Sequence, residues 1–236
     1  MDNALVCFSG GFDSTTCLIY TLLDERYERV ETIGFNYGQT NSVELECRKQ
    51  IIDGLKKLYP KQSKKLGEDL VIDISCFGEV AESSLTGKKQ HQVTEGTASN
   101  YVPVRNAMFM SFCGARAIVR GLDTIVTGVV YDDYDGYADC RRSFMDAMQN
   151  AIELGSDVKI RIETPVIDIP KNETWANLER LGGRELVRFM VEKTHSCDKN
   201  DRHTHHEWGF GCGECPSCVV RKYRFEQYMA ERKKNE

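Results

Sequence analysis

Asn3–Leu23 reads NALVCFSGGFDSTTCLIYTLL, and the order of its parts decides the fold. Asn3–Phe8 is a short apolar run rich in strand formers, with the character of a buried β-strand. Ser9-Gly10-Gly11 ends it, and Thr15–Leu23 follows with apolar residues at helical spacing. A strand that passes through two glycines straight into a helix is half of a βαβ unit. Further on, Val30–Phe35, Leu70–Ile74, Thr124–Val130 and Ile160–Thr164 read as strands. Val43–Leu58, Asn106–Arg120 and Arg142–Leu154 read as helices between them, Val43–Leu58 with apolar residues at 43, 45, 51, 52, 55 and 58. This alternation predicts an α/β fold, a parallel sheet covered by helices on both faces. Ligands of such sheets bind beyond the carboxyl ends of the strands.

The chain has 236 residues, 41% of them hydrophobic and 28% charged, and a net charge of −5 from 31 basic and 36 acidic residues. That is a globular balance, large enough to bury a core without disulfide staples. The N-terminal MDNALVCFSGG has no basic region before its apolar run, and no apolar stretch approaches a membrane span of roughly 20 residues. A cytoplasmic protein is expected, with no membrane partner. The acidity speaks against gripping nucleic acid through a basic surface. Ten cysteines then point to thiols and a metal site in a reducing compartment.

Ser9-Gly10-Gly11-Phe12-Asp13-Ser14-Thr15 has the makings of an anion site. Glycines allow close backbone approach, and hydroxyls and amides at a helix N-terminus bind phosphate oxygens. The loop lacks the Lys-Ser or Lys-Thr ending of a Walker loop and the G-x-G-x-x-G dinucleotide pattern. By itself Ser-Gly-Gly is also what an ordinary strand–helix turn contains. A second motif is Cys212-x-x-Cys215-x-x-Cys218 with Cys197 upstream, four thiolates suited to a tetrahedral structural zinc. An iron–sulfur cluster uses the same set. His203, His205 and His206 lie between; one could replace Cys197, although a polar surface loop is the plainer reading.

The string SGGFDST resembles the pyrophosphate loop of the N-type ATP pyrophosphatases, which share an adenine-nucleotide alpha-hydrolase-like fold. Those enzymes cleave ATP between the α- and β-phosphates and place AMP on a substrate oxygen. Within that group, nearly the whole chain is similar to the 7-cyano-7-deazaguanine synthases. The similarity is carried by FSGGFDSTTCL at Phe8–Leu18, FNYGQ at Phe35–Gln39, SSLT at Ser83–Thr86 and VPVRN at Val102–Asn106. GYADCR at Gly136–Arg141, ETP at Glu163–Pro165, KNETWA at Lys171–Ala176, THSC at Thr194–Cys197 and GCGECPSC at Gly211–Cys218 continue it.

The resemblance implies ATP, Mg²⁺ and a structural Zn²⁺ as cofactors, 7-carboxy-7-deazaguanine and ammonia as substrates, and a homodimer. The acid is adenylated, ammonia displaces AMP to give an amide, and a second ATP activates the amide for dehydration to the nitrile. Phe8, Ser9, Gly10, Gly11, Phe12, Asp13, Ser14, Thr15 and Thr16 would hold the nucleotide, with Asp13 beside Mg²⁺. Cys197, Cys212, Cys215 and Cys218 would hold zinc. Lys171 and Arg105 are cations placed to offset developing charge, with Asp133 as a third catalytic group. Asp139 and Arg141 would meet the guanine-like edge, and Tyr134 or Tyr137 would stack on the ring. Cys7, Cys17 and Cys113 read as small core residues, and Cys140 lies near the site.

Residues 1–194 are expected to form the ATP domain, and 195–236 a zinc knuckle and C-terminal helix packed on it, with the charged tail Glu231–Glu236 frayed. Lys56–Glu68, with five lysines and one proline, reads as a solvated connection. Leu85–Asn100 is either a lid or a polar excursion. The chain departs from the family pattern at Phe12, Val104, Asp135 and Ala138 and in its long Cys197–Cys212 spacing. A competing reading is a relative that adenylates the same acid and joins it to another amine, such as one on a protein, as an amide. A tRNA-binding module is disfavoured by the charge.

Overall fold

The computed structural model describes residues 1–39, 41–81, 102–130 and 137–235, with the side chains of Val80, Lys171 and Asn235 left aside. Leu85–Asn100 therefore lies outside the described residues.

The opening stretch forms β1 (Asp2–Cys7) and α1 (Phe12–Leu23), followed by β2 (Tyr27–Asn36), α2 (Val43–Leu58) and β3 (Leu66–Asp73). After the single turn α3 (Phe77–Val80) come α4 (Arg105–Arg120), β4 (Thr124–Thr127), α5 (Arg142–Ser156) and β5 (Arg161–Glu163). The chain ends in α6 (Lys171–Lys193), the hairpin β6 (His205–His206) and β7 (Gly209–Phe210), and α7 (Pro216–Asn235). The five longer-range strands pair in parallel in the order β3-β2-β1-β4-β5. The chain winds outward from β1 through β2 to β3, then crosses back to lay β4 on the other side of β1. β1 and β4 thus flank the switch point, where a crevice opens at the strand ends.

The period-two alternation of β1 divides the core. Ala4, Val6 and Phe8 pack with Leu18 and Ile19 of α1, Ile51 and Leu55 of α2, and Trp175 and Leu178 of α6. Leu5 turns the other way, joining Ile33 and Phe35 against Met110, Cys113 and Ala117 of α4 and Met145 of α5. Both faces of β1 are buried, as a parallel sheet requires. Among the described residues no helix is long and apolar enough to cross a membrane.

Several boundaries differ from the sequence reading. β2 begins at Tyr27, ahead of the expected Val30, because the polar Glu28 and Arg29 are in the strand although they break its apolar run. Glu31 is 1% exposed, and its carboxylate is met by Arg120 at 2.7 Å and, more loosely, by Arg29 and Arg116. β4 stops at Thr127, where Gly128 turns in against the start of α1. Lys56–Glu68 is not one loop: it holds the end of α2, a 3₁₀ turn at Gln62–Lys65 and the start of β3. The tail is helical through Asn235. α6 was hidden by Gly182-Gly183, which break its dihedrals midway, with Gly183 at φ 65°.

α6 carries Trp175, which is 1% exposed and joins three elements. Its ring centroid lies 4.3 Å from Phe12 of α1, 5.1 Å from Phe225 and 6.4 Å from Tyr228 of α7. Trp175→Ala is expected to cost about 3–5 kcal/mol through the lost burial and the void. Urea unfolding of the two chains measures it; a loss under about 1 kcal/mol would contradict this junction.

Candidate functional site

The Ser9–Ser14 turn has no room for side chains at its glycines. Gly10 has φ +97°, and a Cβ there would sit 2.1 Å from the Glu44 main-chain oxygen. A Cβ on Gly11 would approach both Glu44 carboxylate oxygens at 3.2 Å. From the opposite side, Gly128 packs so closely that a Cβ would meet Asp13 and Ser14 backbone atoms at 2.9 Å. Inside the turn, Gly11 N–H donates to Ser9 Oγ at 3.1 Å, and Ser9 N–H donates to Ser14 Oγ at 3.2 Å. Gly11 is the N-cap of α1 and offers no side-chain cap, so the first helical amides keep their capacity to receive an anion.

A cavity of about 470 Å³ opens here, at the carboxyl ends of β1, β2 and β4. The volume suits a nucleotide-sized ligand. Phe8, Ser9, Gly11, Phe12, Asp13 and Ser14 line it, facing Arg105, Asn106, Phe109, Tyr137 and Cys140. Gly10 lies behind, under Glu44. Thr15 and Thr16 are buried, and their hydroxyls donate to Gly11 O at 2.6 Å and Phe12 O at 3.0 Å, which makes them braces of the turn.

Arg105 opens α4, directly after Val104, which adopts the left-handed φ 62°, ψ 9° that a β-branched residue rarely takes. The Arg105 guanidinium donates to Tyr37 Oη at 3.4 Å and lies over the Tyr37 ring. Burial raises the Tyr37 phenol above its ordinary pKa, opposed by Arg105. Asp139 is 6% exposed; it accepts the Asn106 N–H at 3.4 Å, while the Asn106 amide reaches Asp139 O and Cys140 Sγ. Asp139 therefore stands behind the Tyr137–Cys140 wall. Arg141 is exposed at the N-cap of α5, and Lys171 is the first residue of α6. Asp133 and Tyr134 lie outside the described residues.

The opposite wall comes from the C-terminal segment: Ser196, Asp198, Ser217, Arg221 and Arg224 line the same cavity. Asp198 Oδ1 accepts Ser217 Oγ–H at 2.7 Å. Arg221 is buried and donates to Trp208 O, Ser196 Oγ, Met190 O and Thr194 Oγ1 at 2.9–3.2 Å, with its guanidinium beside Phe12 and Trp175. Burial, then Arg202, lowers its pKa to about 10. Ser196 and Ser217 lie within the quoted THSC and GCGECPSC stretches. The sequence reading gave none of these five wall residues a place at the cavity, which they reach with the cysteine segment and the helix after it.

The sulfurs of Cys197, Cys212, Cys215 and Cys218 all lie within 4.8 Å of one another, those of Cys197 and Cys215 at 4.0 Å. No disulfide joins them. Main-chain amides of Asp198, Cys212, Glu214 and Cys218 point at these sulfurs at 3.4–3.5 Å, a pattern that favours thiolates. The group could hold a metal ion. Of the histidines, His205 Nε2 meets Glu192 at 2.9 Å, and His206 meets Gly211 O at 2.9 Å and stacks on Trp208. All four cysteines converge and, among the described residues, no histidine joins the group.

A family model described as "Queuosine biosynthesis protein QueC" matches residues 3–229. The chain belongs to the QueC family. A 7-cyano-7-deazaguanine synthase of Burkholderia thailandensis is 45% identical over 229 residues, covering 97% of this chain and 93% of its own. One from Burkholderia mallei is 44% identical over the same coverage. Among solved structures, the U34-tRNA thiolase NcsA from Methanococcus maripaludis with its [4Fe-4S] cluster aligns at a TM-score of 0.47 and 14% identity, over 99% of this chain and 68% of that one. That likeness carries nothing about function. QueC membership makes the protein an enzyme of queuosine-precursor biosynthesis.

One QueC-site residue had no role in the sequence reading: Glu44, in the first turn of α2. The only hint was its place just beyond β2, at the carboxyl end of the sheet. Burial, aided by Asp13 and Asp198, pushes its carboxyl up to about 7 from 4.5; the Ser9 hydroxyl and Arg105 oppose the shift. A carboxyl with a raised folded-state pKa holds its proton better in the folded chain. Its contribution to stability is present below about 4.5 and is lost as pH rises through about 7. Glu44→Gln removes that loss. Thermal melts should show the variant more stable by about 1–3 kcal/mol at pH 8 and equal to the parent near pH 4. A difference independent of pH would refute the shift.

Proposed function

We propose that the protein converts 7-carboxy-7-deazaguanine and ammonia to 7-cyano-7-deazaguanine with ATP, through an adenylated acid and an adenylated amide. The observation that carries this reading is the uncapped start of α1 on the floor of a cavity at the sheet's switch point. The relatives named 7-cyano-7-deazaguanine synthase, alike over 97% of the chain, supply the substrate class.

In this reading the amides of the Ser9–Ser14 turn bind ATP phosphates, and Thr15 and Thr16 keep the turn in shape. Mg²⁺, when bound near Asp13, offsets charge on the pyrophosphate. Arg105, oriented by Tyr37, neutralises the acid's carboxylate so that it can approach the α-phosphate. Tyr137 offers a face for the deazapurine, and Asp139 reaches it through Asn106. Lys171, Arg141, Asp133 and Tyr134 keep in this reading the roles that the resemblance implies.

Zinc is the ion we assign to the four cysteines. Tetrahedral zinc with bonds of about 2.3 Å separates its sulfurs by about 3.8 Å. An iron–sulfur cube spreads them farther. The ion's role is to hold Asp198, Ser217 and Arg221 at the cavity wall.

Incubation with ATP, Mg²⁺ and the acid should release AMP and pyrophosphate only when the acid is present, and ammonium should turn the product into the nitrile by mass. AMP release that ignores the acid overturns the reading, and a product that stays an amide conjugate transfers it to the amide-forming relative. Elemental analysis should find about one zinc per chain. Cys215→Ala should lose that zinc together with stability on the order of 10 kcal/mol; full metal retention would remove the assignment.

A further inference from the structure

Arg221 of α7 is a buried cation whose hydrogen bonds end only on neutral acceptors. It is 6% exposed. Nε donates to Trp208 O at 2.9 Å, Nη2 to Met190 O at 3.2 Å and Thr194 Oγ1 at 2.9 Å, and Nη1 to Ser196 Oγ at 3.0 Å. A guanidinium carries five N–H groups. Four are used, and the one left over is on Nη1, with no acceptor among the described residues. Among those residues no carboxylate pairs with Arg221 directly; Asp13, Glu44 and the Cys218 sulfur act on it from farther off, against Arg202. A buried charge is costly unless an opposite charge meets it, so this guanidinium is suited to receive an anion.

The edge with the spare donor borders the cavity. Ser196, the acceptor on Nη1, lines it, as do Phe12 and Trp175, whose ring centroids each lie 5.8 Å from the guanidinium carbon. Phe12 is the first residue of α1, so Arg221 stands beside the uncapped amides. Helix amides and a guanidinium N–H thus border the same part of the cavity, and both suit phosphate oxygens. Nη2 has no such freedom: it is packed against Gly209, where a Cβ would come within 2.9 Å. In the reaction proposed above, Arg105 of α4 meets the acid's carboxylate. That leaves the pyrophosphate end of ATP to Arg221.

We propose that Arg221 is a catalytic residue of the ATP step, donating its spare Nη1–H to the pyrophosphate portion of ATP bound at the start of α1; the inference rests on that reaction. A carboxylate oxygen of the acid attacks the α-phosphorus, and an O–P bond forms. The bond from that phosphorus to the bridging oxygen breaks, and its electron pair stays on the oxygen. Pyrophosphate leaves with one more negative charge, and no proton moves. Arg221 meets that charge as it develops. Its other four bonds already hold it in place, so little reorganisation accompanies the step.

The full chain and its Arg221→Lys variant, which keeps the charge and loses the planar fork, test this. Equilibrium binding of inorganic pyrophosphate with Mg²⁺, and separately of adenosine, reads the contact without turnover. The variant should bind pyrophosphate at least about tenfold more weakly, while adenosine changes by less than about twofold. Its kcat for acid-dependent AMP release should fall at least about a hundredfold. Equal loss for pyrophosphate and adenosine overturns the proposal, because it marks Arg221 as a brace of the wall. Unchanged pyrophosphate binding overturns it too, as does a parent that binds no pyrophosphate. Where the variant fails to fold, the parent answers by nitrogen NMR. The Arg221 Nη1 resonance, assigned through the backbone, should shift with pyrophosphate and Mg²⁺ and stay in place with adenosine; a resonance that ignores pyrophosphate refutes the contact. Selective loss of pyrophosphate binding in the variant, with a parent that makes no AMP from ATP and the acid, would sink the proposed reaction and still support the contact.

Discussion

Everything at this site depends on the close approach of three backbones at the end of β1. The main chain of α2 presses on Gly10 from one side, and the strand end at Gly128 presses on the start of α1 from the other. Only glycine leaves space for this, and at Gly10 only glycine takes the required φ without strain. The crowding has a chemical result. It aims the first amides of α1 at open space, with no side-chain oxygen competing for them. An anion there meets both the free donors and the positive end of the helix dipole.

The same crowding brings a carboxylate to a place where phosphate is expected. Glu44 is held against Gly11 because its own main chain lies over Gly10. A carboxylate in such a corner raises the local cost of negative charge unless cations are recruited. Arg105 supplies one from α4, and Arg221 supplies another from α7, itself buried and held by four acceptors. Arg221 also links the cysteine segment to Phe12 and Trp175, so the four-cysteine end of the chain and the glycine turn share one packed junction. An ion that orders the four cysteines would thereby order a wall of the cavity some distance from itself.

Elements with regular patterning were legible from the residues alone. Val43–Leu58 is a helix with those bounds, and its acidic first turn at Glu44 and Glu46 and basic last turn at Lys56 and Lys57 suit the helix dipole. Polar residues at a strand's start shortened the reading of β2, which begins at Tyr27 and not at Val30. Glu31 is tolerated inside β2 because Arg116 and Arg120 of α4 meet it beside Arg29 of its own strand, and no local signal announces the partners from α4. Gly182-Gly183 hid α6 for the opposite reason: the local break signal is real, and α6 is two helical segments that meet at a kink there. Thr15 and Thr16 belong to the motif, and only the bond directions show them holding the turn from within.

The sequence by itself determined the βαβ order, the glycine turn at the end of the first strand, the cysteine set for a metal, and the family. These are local or motif-borne properties, carried by spacing and residue type within a few positions. Tertiary structure alone decided that Glu44, Asn41, Asp198 and Arg221 share a cavity with that turn. Asn41 and Glu44 come to it just beyond the carboxyl end of β2, while Asp198 and Arg221 come from the cysteine segment and α7, far along the chain, where Arg221 packs beside Phe12 and Trp175.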